Sequence, residues 1–422
     1  MPQRLLIRGG LVIDPEQGLE SVRDILSENG RVRSLGRDLA RRHPSVPVLD
    51  ARGCWVLPGL IDLHVHLREP GGEDAEDILS GASAAAAGGF TAVLAMPNTK
   101  PPLDSPALLR RLRRKAAAAA AQVLFAGCAS KGQQGRELAD LRGMDAVSED
   151  GRSVLDSNLM RRALESARSL DIPFMSHCED PALSRGAPVN EGRASRRLRL
   201  PGQSWAAETV MVLRDIALAE LTGARLHLCH LSCRQSVEAV RAAKRRGLAV
   251  TAEASPHHLA LCEDDIPGPD PSWKMNPPLR SRADRAALQE ALADGSIDAV
   301  ATDHAPHSAA KKGLGMRRAP FGVIGLETAL PVILHFLVHR GRLSRRRLAE
   351  CASAAPARIL GLARKGSLRP GMDADATLLS PDEPWTVPGR FQSRSANCPF
   401  IGMRLRGRVR ATVRAGRIVH AL

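Results

Sequence analysis

Two histidines one residue apart, His64 and His66, sit in the apolar run Ile61-Asp62-Leu63-His64-Val65-His66-Leu67-Arg68. Alternate side chains of a strand share a face, so both imidazoles can be offered to one ion. Imidazole suits zinc and its first-row neighbours. Arg68 adds a fixed cation where the strand runs into a loop. His-x-His alone also describes an ordinary half-exposed strand. Its meaning depends on what ends the other strands.

Eight apolar runs alternate with helix-like stretches between residue 55 and about 362. The expected strands are Trp55–Leu63, Thr91–Ala95, Gln122–Ala126, Met144–Val147, Ile172–Met175, Arg225–Leu228, Leu248–Ala252 and Ile297–Ala301. The expected helices include Ala75–Ala87, Ser105–Ala121, Met160–Leu170, Trp205–Leu221 and Arg234–Arg246, with the alanine run Ala116–Ala121 read as helix former. Eight such alternations predict an α/β fold, a (β/α)8 TIM-type barrel over 55–364. No Gly-x-Gly-x-x-Gly follows the first strand to favour an open doubly wound sheet. Residues 1–54 and 365–422 carry short strand-like pieces between Gly and Pro, and are expected to form one small flanking β-domain from both termini.

In such a barrel, reactive residues gather where strands end. The first strand is followed by His64 and His66, the second by Asn98, the fourth by Glu149-Asp150 and the fifth by His177-Cys178-Glu179. The sixth is followed by His230, the seventh by His257-His258 and the eighth by Asp303-His304 and then His307. So many histidines and carboxylates at one mouth point to a metal site. Cys178 and Cys229 should face away, because neighbouring strand residues alternate. His257, His258 and His304 read as structural or supporting histidines. Asn98 and Asn276 also suit plain turns.

The chain resembles the amidohydrolase superfamily, and within it the bacterial class I dihydroorotase family. The strings that carry the resemblance are Asp62-Leu63-His64-Val65-His66-Leu67-Arg68-Glu69-Pro70-Gly71, Met96-Pro97-Asn98-Thr99, Ser176-His177-Cys178-Glu179-Asp180, Pro256-His257-His258-Leu259, Lys274-Met275-Asn276-Pro277-Pro278-Leu279-Arg280 and Ala301-Thr302-Asp303-His304-Ala305-Pro306-His307. The likeness runs from about residue 4 to the C-terminus. It implies two zinc ions per subunit, one held by His64, His66 and Asp303 and the other by His177 and His230. Asp150 and a hydroxide would bridge them. Relatives that bridge with a carbamylated lysine carry it at the fourth strand, where Met144–Gly151 has none; Lys131 is the nearest alternative.

The resemblance further implies reversible cyclisation of N-carbamoyl-L-aspartate to dihydroorotate, a step of pyrimidine biosynthesis. Asp303 would act as base and then acid. Arg68, Asn98 and His307 would clamp the substrate carboxylate, with His66, Asn276, Phe321 and Gly322 completing the substrate site. Two loop positions depart from the family pattern: Ala75 where lysine is usual, and Lys311-Lys312 where a Glu-Lys pair is usual. Two rival readings are another cyclic amidase (dihydropyrimidinase, hydantoinase or allantoinase) and a non-catalytic scaffold for aspartate transcarbamoylase. Arg68 speaks against the first, since a neutral ring needs no carboxylate clamp. The complete ligand set speaks against the second.

Composition is consistent with an enzyme. Hydrophobic residues make up 44% of the 422, while aromatics are only 3% and tyrosine is absent, so the core must rest on aliphatic side chains. The net charge of +15 is spread as arginine pairs over many helices, which argues against nucleic-acid binding and suits a small acidic substrate. Leu5-Leu6-Ile7 is too short for a secretion signal, and no apolar run reaches the ~20 residues of a membrane span. Eight scattered cysteines suit a reduced, cytoplasmic enzyme. A small-molecule substrate, a homo-oligomer and a possible transcarbamoylase partner are the expected associations.

Overall fold

The computed structural model describes residues 3–422. Eight parallel strands form the barrel wall: Leu60–Val65, Phe90–Ala95, Gln122–Cys128, Ala146–Ser148, Phe174–Ser176, Leu226–Leu228, Val250–Ala254 and Ala299–Val300. They neighbour one another in chain order. The last meets the first through a Val65–His304 bridge and a bond from His66 N–H to the His304 carbonyl at 2.8 Å. The strands are short and buried on both faces, as parallel strands sheathed by helices must be. Their outward side chains pack on the helices in one apolar core that includes Leu60, Val93, Phe125, Val147, Phe174 and Leu228.

A second sheet flanks the barrel. Its strands are Arg4–Asp14, Leu19–Glu28, Arg31–Gly36, Val48–Asp50, Trp55–Pro58, Ala376–Thr386, Arg404–Arg414 and Arg417–Ala421. The two ends of the chain meet here, because Trp55–Pro58 pairs with both Arg4–Asp14 and Ala376–Thr386. The run expected as one opening strand, Trp55–Leu63, is therefore divided. Its first half joins the flanking sheet and its second half opens the barrel. Gly59 is the joint: a Cβ there would stand 2.4 Å from Thr91 Oγ1.

The alanine run also departs from expectation. The helix Pro106–Ala116 stops where the run begins, and the chain turns through 117–121 into the strand Gln122–Cys128. Helix propensity is overridden by packing. Ala119 and Ala121 are buried, and the Ala119 carbonyl accepts a bond from Arg414 Nη1 at 2.7 Å. The remaining expected helices appear as Ile78–Ala87, Ser157–Ser169, Ala206–Thr222 and Arg234–Arg245. Among the described residues, no helix is long and apolar enough to cross a membrane.

Candidate metal centre

The strand ends deliver their polar residues to one point. Asp150, after the fourth strand, is buried at the centre of four imidazoles. Its Oδ1 lies 3.2 Å from His64 Nε2, 3.6 Å from His177 Nδ1 and 3.9 Å from His230 Nε2. Its Oδ2 lies 3.5 Å from His66 Nε2. Asp303 closes the other side, with Oδ1 3.3 Å from His66 Nε2 and 3.7 Å from His64 Nε2. The donor atoms of His64, His66 and Asp303, and those of His64, Asp150 and His230, lie within 4.8 Å of one another. His177 and His230 approach to 2.9 Å.

These residues fit a metal cofactor. His64 Nε2, which faces the centre, is buried with no hydrogen-bond partner among the described residues, which is costly unless something else meets it. Imidazole nitrogens with two carboxylates are the donor set that zinc and related ions take. Burial raises the Asp150 carboxyl, but the His64 and His66 rings outweigh it and hold the group well below its usual range. Asp303 is likewise held below its usual range by His66, His64 and His230 against the effect of burial. Both are therefore carboxylates at neutral pH.

A further layer fixes which nitrogen each histidine presents. His64 Nδ1–H donates to Glu253 Oε1 at 3.1 Å, leaving Nε2 free. Glu253 also accepts from His227 Nε2–H at 2.9 Å. His177 Nε2–H donates to Glu179 Oε2 at 3.1 Å, leaving Nδ1 free. Asp62 accepts from the backbone N–H of His64 and of Thr302, tying the first strand to the segment after the eighth. Such partners fix tautomer and ring orientation. Sequence reasoning assigned no role to Glu253 or His227. A glutamate inside the buried strand Val250–Ala254 was the available signal.

Every expected site residue reaches this place. His64 lies beneath, and a cavity of about 160 Å³ is lined by His66, Arg68, Asn98, Asp150, His177, His230, Asn276, Asp303, His307, Phe321 and Gly322. Arg68 Nε–H donates to the Pro306 carbonyl at 3.0 Å. His307 Nε2 must donate to the Phe321 carbonyl at 2.6 Å, because a carbonyl can only accept. That nitrogen cannot also accept from Arg68 Nη2, 3.2 Å away. The outer end of the guanidinium is thus left without an acceptor. Asn98 is engaged differently from a free clamp residue. It accepts from His66 Nδ1–H at 2.9 Å and donates to Asp150 Oδ2 at 3.0 Å. Asn276 donates to Glu179 at 2.8 Å.

The local backbone is bent to do this. Arg68, His230 and Asp303 have φ of 59°, 33° and 47°, a region that ordinary side chains avoid and that collects at functional sites. The turn at His230 also breaks strand alternation. Cys229, expected to face away, lies with His64 and Glu253 in a cluster whose donor atoms are within 4.8 Å. Cys178 does face away, toward Ser176 and Asp215. His258 bonds Ser255 and the Pro277 carbonyl, and His304 bonds Glu76. Lys131 is exposed and pairs with Glu137. The two loop departures lie together at the rim, where Lys311 meets Asp74, next to Ala75, at 3.0 Å.

Comparison with known proteins agrees with this geometry. Residues 55–419 match the Amidohydrolase family. The chain is 50% identical to the dihydroorotase of Anaeromyxobacter dehalogenans, over 100% of this chain and 98% of that protein. It is 46% identical to the dihydroorotase of Pelobacter propionicus, over 99% of each. In structure it is similar to dihydropyrimidinase from Brevibacillus agri, with a TM-score of 0.86 at 24% identity, over 98% of this chain and 94% of that one. It is also similar to D-hydantoinase from a Bacillus species, with a TM-score of 0.85 at 26% identity, over 99% and 95%. The chain belongs to the amidohydrolase family.

Proposed function

We propose that this chain is a zinc-dependent dihydroorotase, a cyclic-amide hydrolase that interconverts dihydroorotate and N-carbamoyl-L-aspartate. Full-length identity to dihydroorotases supports the activity. The observation that carries the substrate choice is Arg68. Its guanidinium borders the cavity, has no carboxylate partner among the described residues, and has its outer nitrogens unspent. Burial pushes it down only to about 10, so it stays a cation at neutral pH. A planar cation with free N–H groups matches a ring carboxylate, and a neutral hydantoin or dihydrouracil ring offers it none.

His64, His66 and Asp303 would hold one zinc and His177 and His230 a second, with the Asp150 carboxylate between them serving both. When bound, such ions supply Lewis acidity at the ring amide and a nucleophilic water at neutral pH. The protein's own residues do the rest. Arg68 orients the ring by its carboxylate, with His307 beside it held by the Phe321 carbonyl, while Asn276 and the Phe321-Gly322 wall face the ring. Asp303, ionised and beside the reacting amide, takes the proton lost by the attacking water. It returns that proton to the ring nitrogen as the carbon–nitrogen bond breaks. Ring closure is the reverse sequence.

The reading includes a homo-oligomer in the cytoplasm. Val210, Leu213 and Leu221 form an exposed apolar row on the helix Ala206–Thr222, and all eight cysteines are unpaired and buried.

The test is absorbance-monitored turnover of dihydroorotate beside hydantoin and dihydrouracil. Dihydroorotate is expected to be the preferred substrate, and preference for either neutral ring would overturn the assignment. Arg68→Ala is expected to lower kcat/KM for dihydroorotate by roughly two to three orders of magnitude with metal content unchanged. Unaltered activity would remove Arg68 from the clamp.

A further inference from the structure

Two lysines lie buried behind the cavity wall. Lys274 and Lys312 are 2% and 7% exposed. Neither forms an ion pair with a carboxylate among the described residues; both spend their protons on backbone carbonyls. Lys312 Nζ donates to the carbonyls of Pro271 at 2.9 Å, Pro320 at 3.0 Å and Lys274 at 3.3 Å. Lys274 Nζ donates to Ala319 at 2.7 Å and Arg317 at 3.2 Å, and lies 4.3 Å from the centre of the Phe321 ring. The Gly322 N–H in turn donates to the Lys274 carbonyl at 3.0 Å. The two ammonium groups therefore tie the segment 271–276 to the segment 317–322. Those segments carry Asn276, Phe321 and Gly322, which line the cavity.

The charge matters as well as the tie. Burial and the neighbouring Lys274 push the Lys312 ammonium down to about 7. Its three carbonyl acceptors use all three N–H donors, which only the charged form possesses. The carboxylate that acts on it, Asp270, is already accepting the Ser272 N–H at 2.8 Å. His307, at the cavity edge, feels both Arg68 and Lys312 and is held down to about 3, chiefly by burial. Asp150, Asp303 and Arg68 border the cavity, and Lys312 and Lys274 stand behind its Asn276 and Phe321-Gly322 wall. Positive charge set behind a buried wall acts on an anion placed against that wall.

We propose that Lys312, seconded by Lys274, is a specificity-determining positioning residue: it fixes the Asn276 and Phe321-Gly322 wall and biases the cavity toward a ring bearing a carboxylate. The inference rests on the activity proposed above and adds to it the residues behind the carboxylate end.

The experiment compares dihydroorotate with its methyl ester, which keeps the ring and removes the charge, for the intact enzyme, Lys312→Met, Lys312→Arg and Lys274→Met. Lys312→Met is expected to raise KM for the acid about tenfold and for the ester less than about twofold, with kcat and metal content near those of the parent. Lys312→Arg is expected to restore most of the KM for the acid. Lys274→Met gives the same readout should Lys312→Met fail to fold. An equal rise for acid and ester, or no rise for either, overturns the inference and leaves the activity standing. A parent enzyme that does not turn over dihydroorotate overturns both.

Discussion

His64 is held at Nδ1 by Glu253 and so presents only Nε2 to the cluster. Glu253 is fully buried and holds His227 with its other oxygen, which makes it a carboxylate committed to orienting imidazoles. The two histidine bonds pull it down to about 2 against the effect of burial. Replacing it by glutamine keeps the volume and removes the charge that makes the ring a better donor. Glu253→Gln is expected to weaken metal retention by about 10- to 100-fold, read by competition with a chromogenic chelator. An unchanged affinity would reduce Glu253 to a packing residue. The candidate ligand positions that the structure brings together were legible in the sequence, because few residue types bind metals and each stands just past an apolar run. Glu253 was not legible. Its role is defined by what lies opposite in space, and His64 is 189 positions away in the chain. Arg68 lay between these cases: its type and place gave a fixed cation and the family resemblance implied a clamp, but its free outer nitrogens emerge only from the contacts of Pro306 and His307.

At the scale of elements, all eight barrel strands were visible as apolar runs, since a parallel strand buried on both faces needs a largely apolar stretch. Two boundaries were hidden for physical reasons. The run Trp55–Leu63 reads as one strand because both halves are apolar, yet its halves serve different sheets. The alanine run reads as helix because propensity ignores where the next strand must start. Gly59 makes the first of these boundaries possible. A Cβ at that position would lie 2.4 Å from Thr91 Oγ1 and 2.8 Å from the Asp375 Cβ, so the flanking sheet and the second barrel strand leave it no room. Gly59→Ala is therefore expected to destabilise the protein by about 1–3 kcal/mol through overpacking. Urea unfolding followed by circular dichroism measures this directly, and a midpoint equal to the parent's would show that the joint has slack. Because the strand Leu60–Val65 leads directly into His66, the same substitution should also loosen metal retention.

At the scale of the whole molecule, the metal centre and the barrel close the same circle. Its candidate ligands come from the ends of the first, fourth, fifth, sixth and eighth strands, so an ion held there bridges parts of the chain as distant as His64 and Asp303. The first and last strands meet through few bonds, chiefly the Val65–His304 bridge, the His66-to-His304 backbone bond and the Asp62 carboxylate on the Thr302 N–H. A ligand bound only by the folded state stabilises it by about 2.7 kcal/mol when present at about a hundred times its dissociation constant. For a chain of this length that corresponds to a melting-temperature shift of about 3 °C. Dialysis against a strong chelator is therefore expected to abolish turnover and to lower the melting temperature by about that amount. Readdition of zinc should restore both, while magnesium should restore neither, because imidazole-rich sites select against it. The flanking sheet gives an internal contrast. It is joined to the barrel through direct packing and through Thr377 and Thr412 hydroxyls donating to the Gly89 and Ala86 carbonyls at 2.6 Å, none of which involves the centre. Hydrogen exchange after chelation should accordingly rise around 62–66 and 300–304 and stay unchanged in Ala376–Thr386 and Arg404–Arg414. Uniform loosening of both sheets, or a melting temperature indifferent to the chelator once metal analysis confirms removal, would mean that the barrel closes without help from the ion.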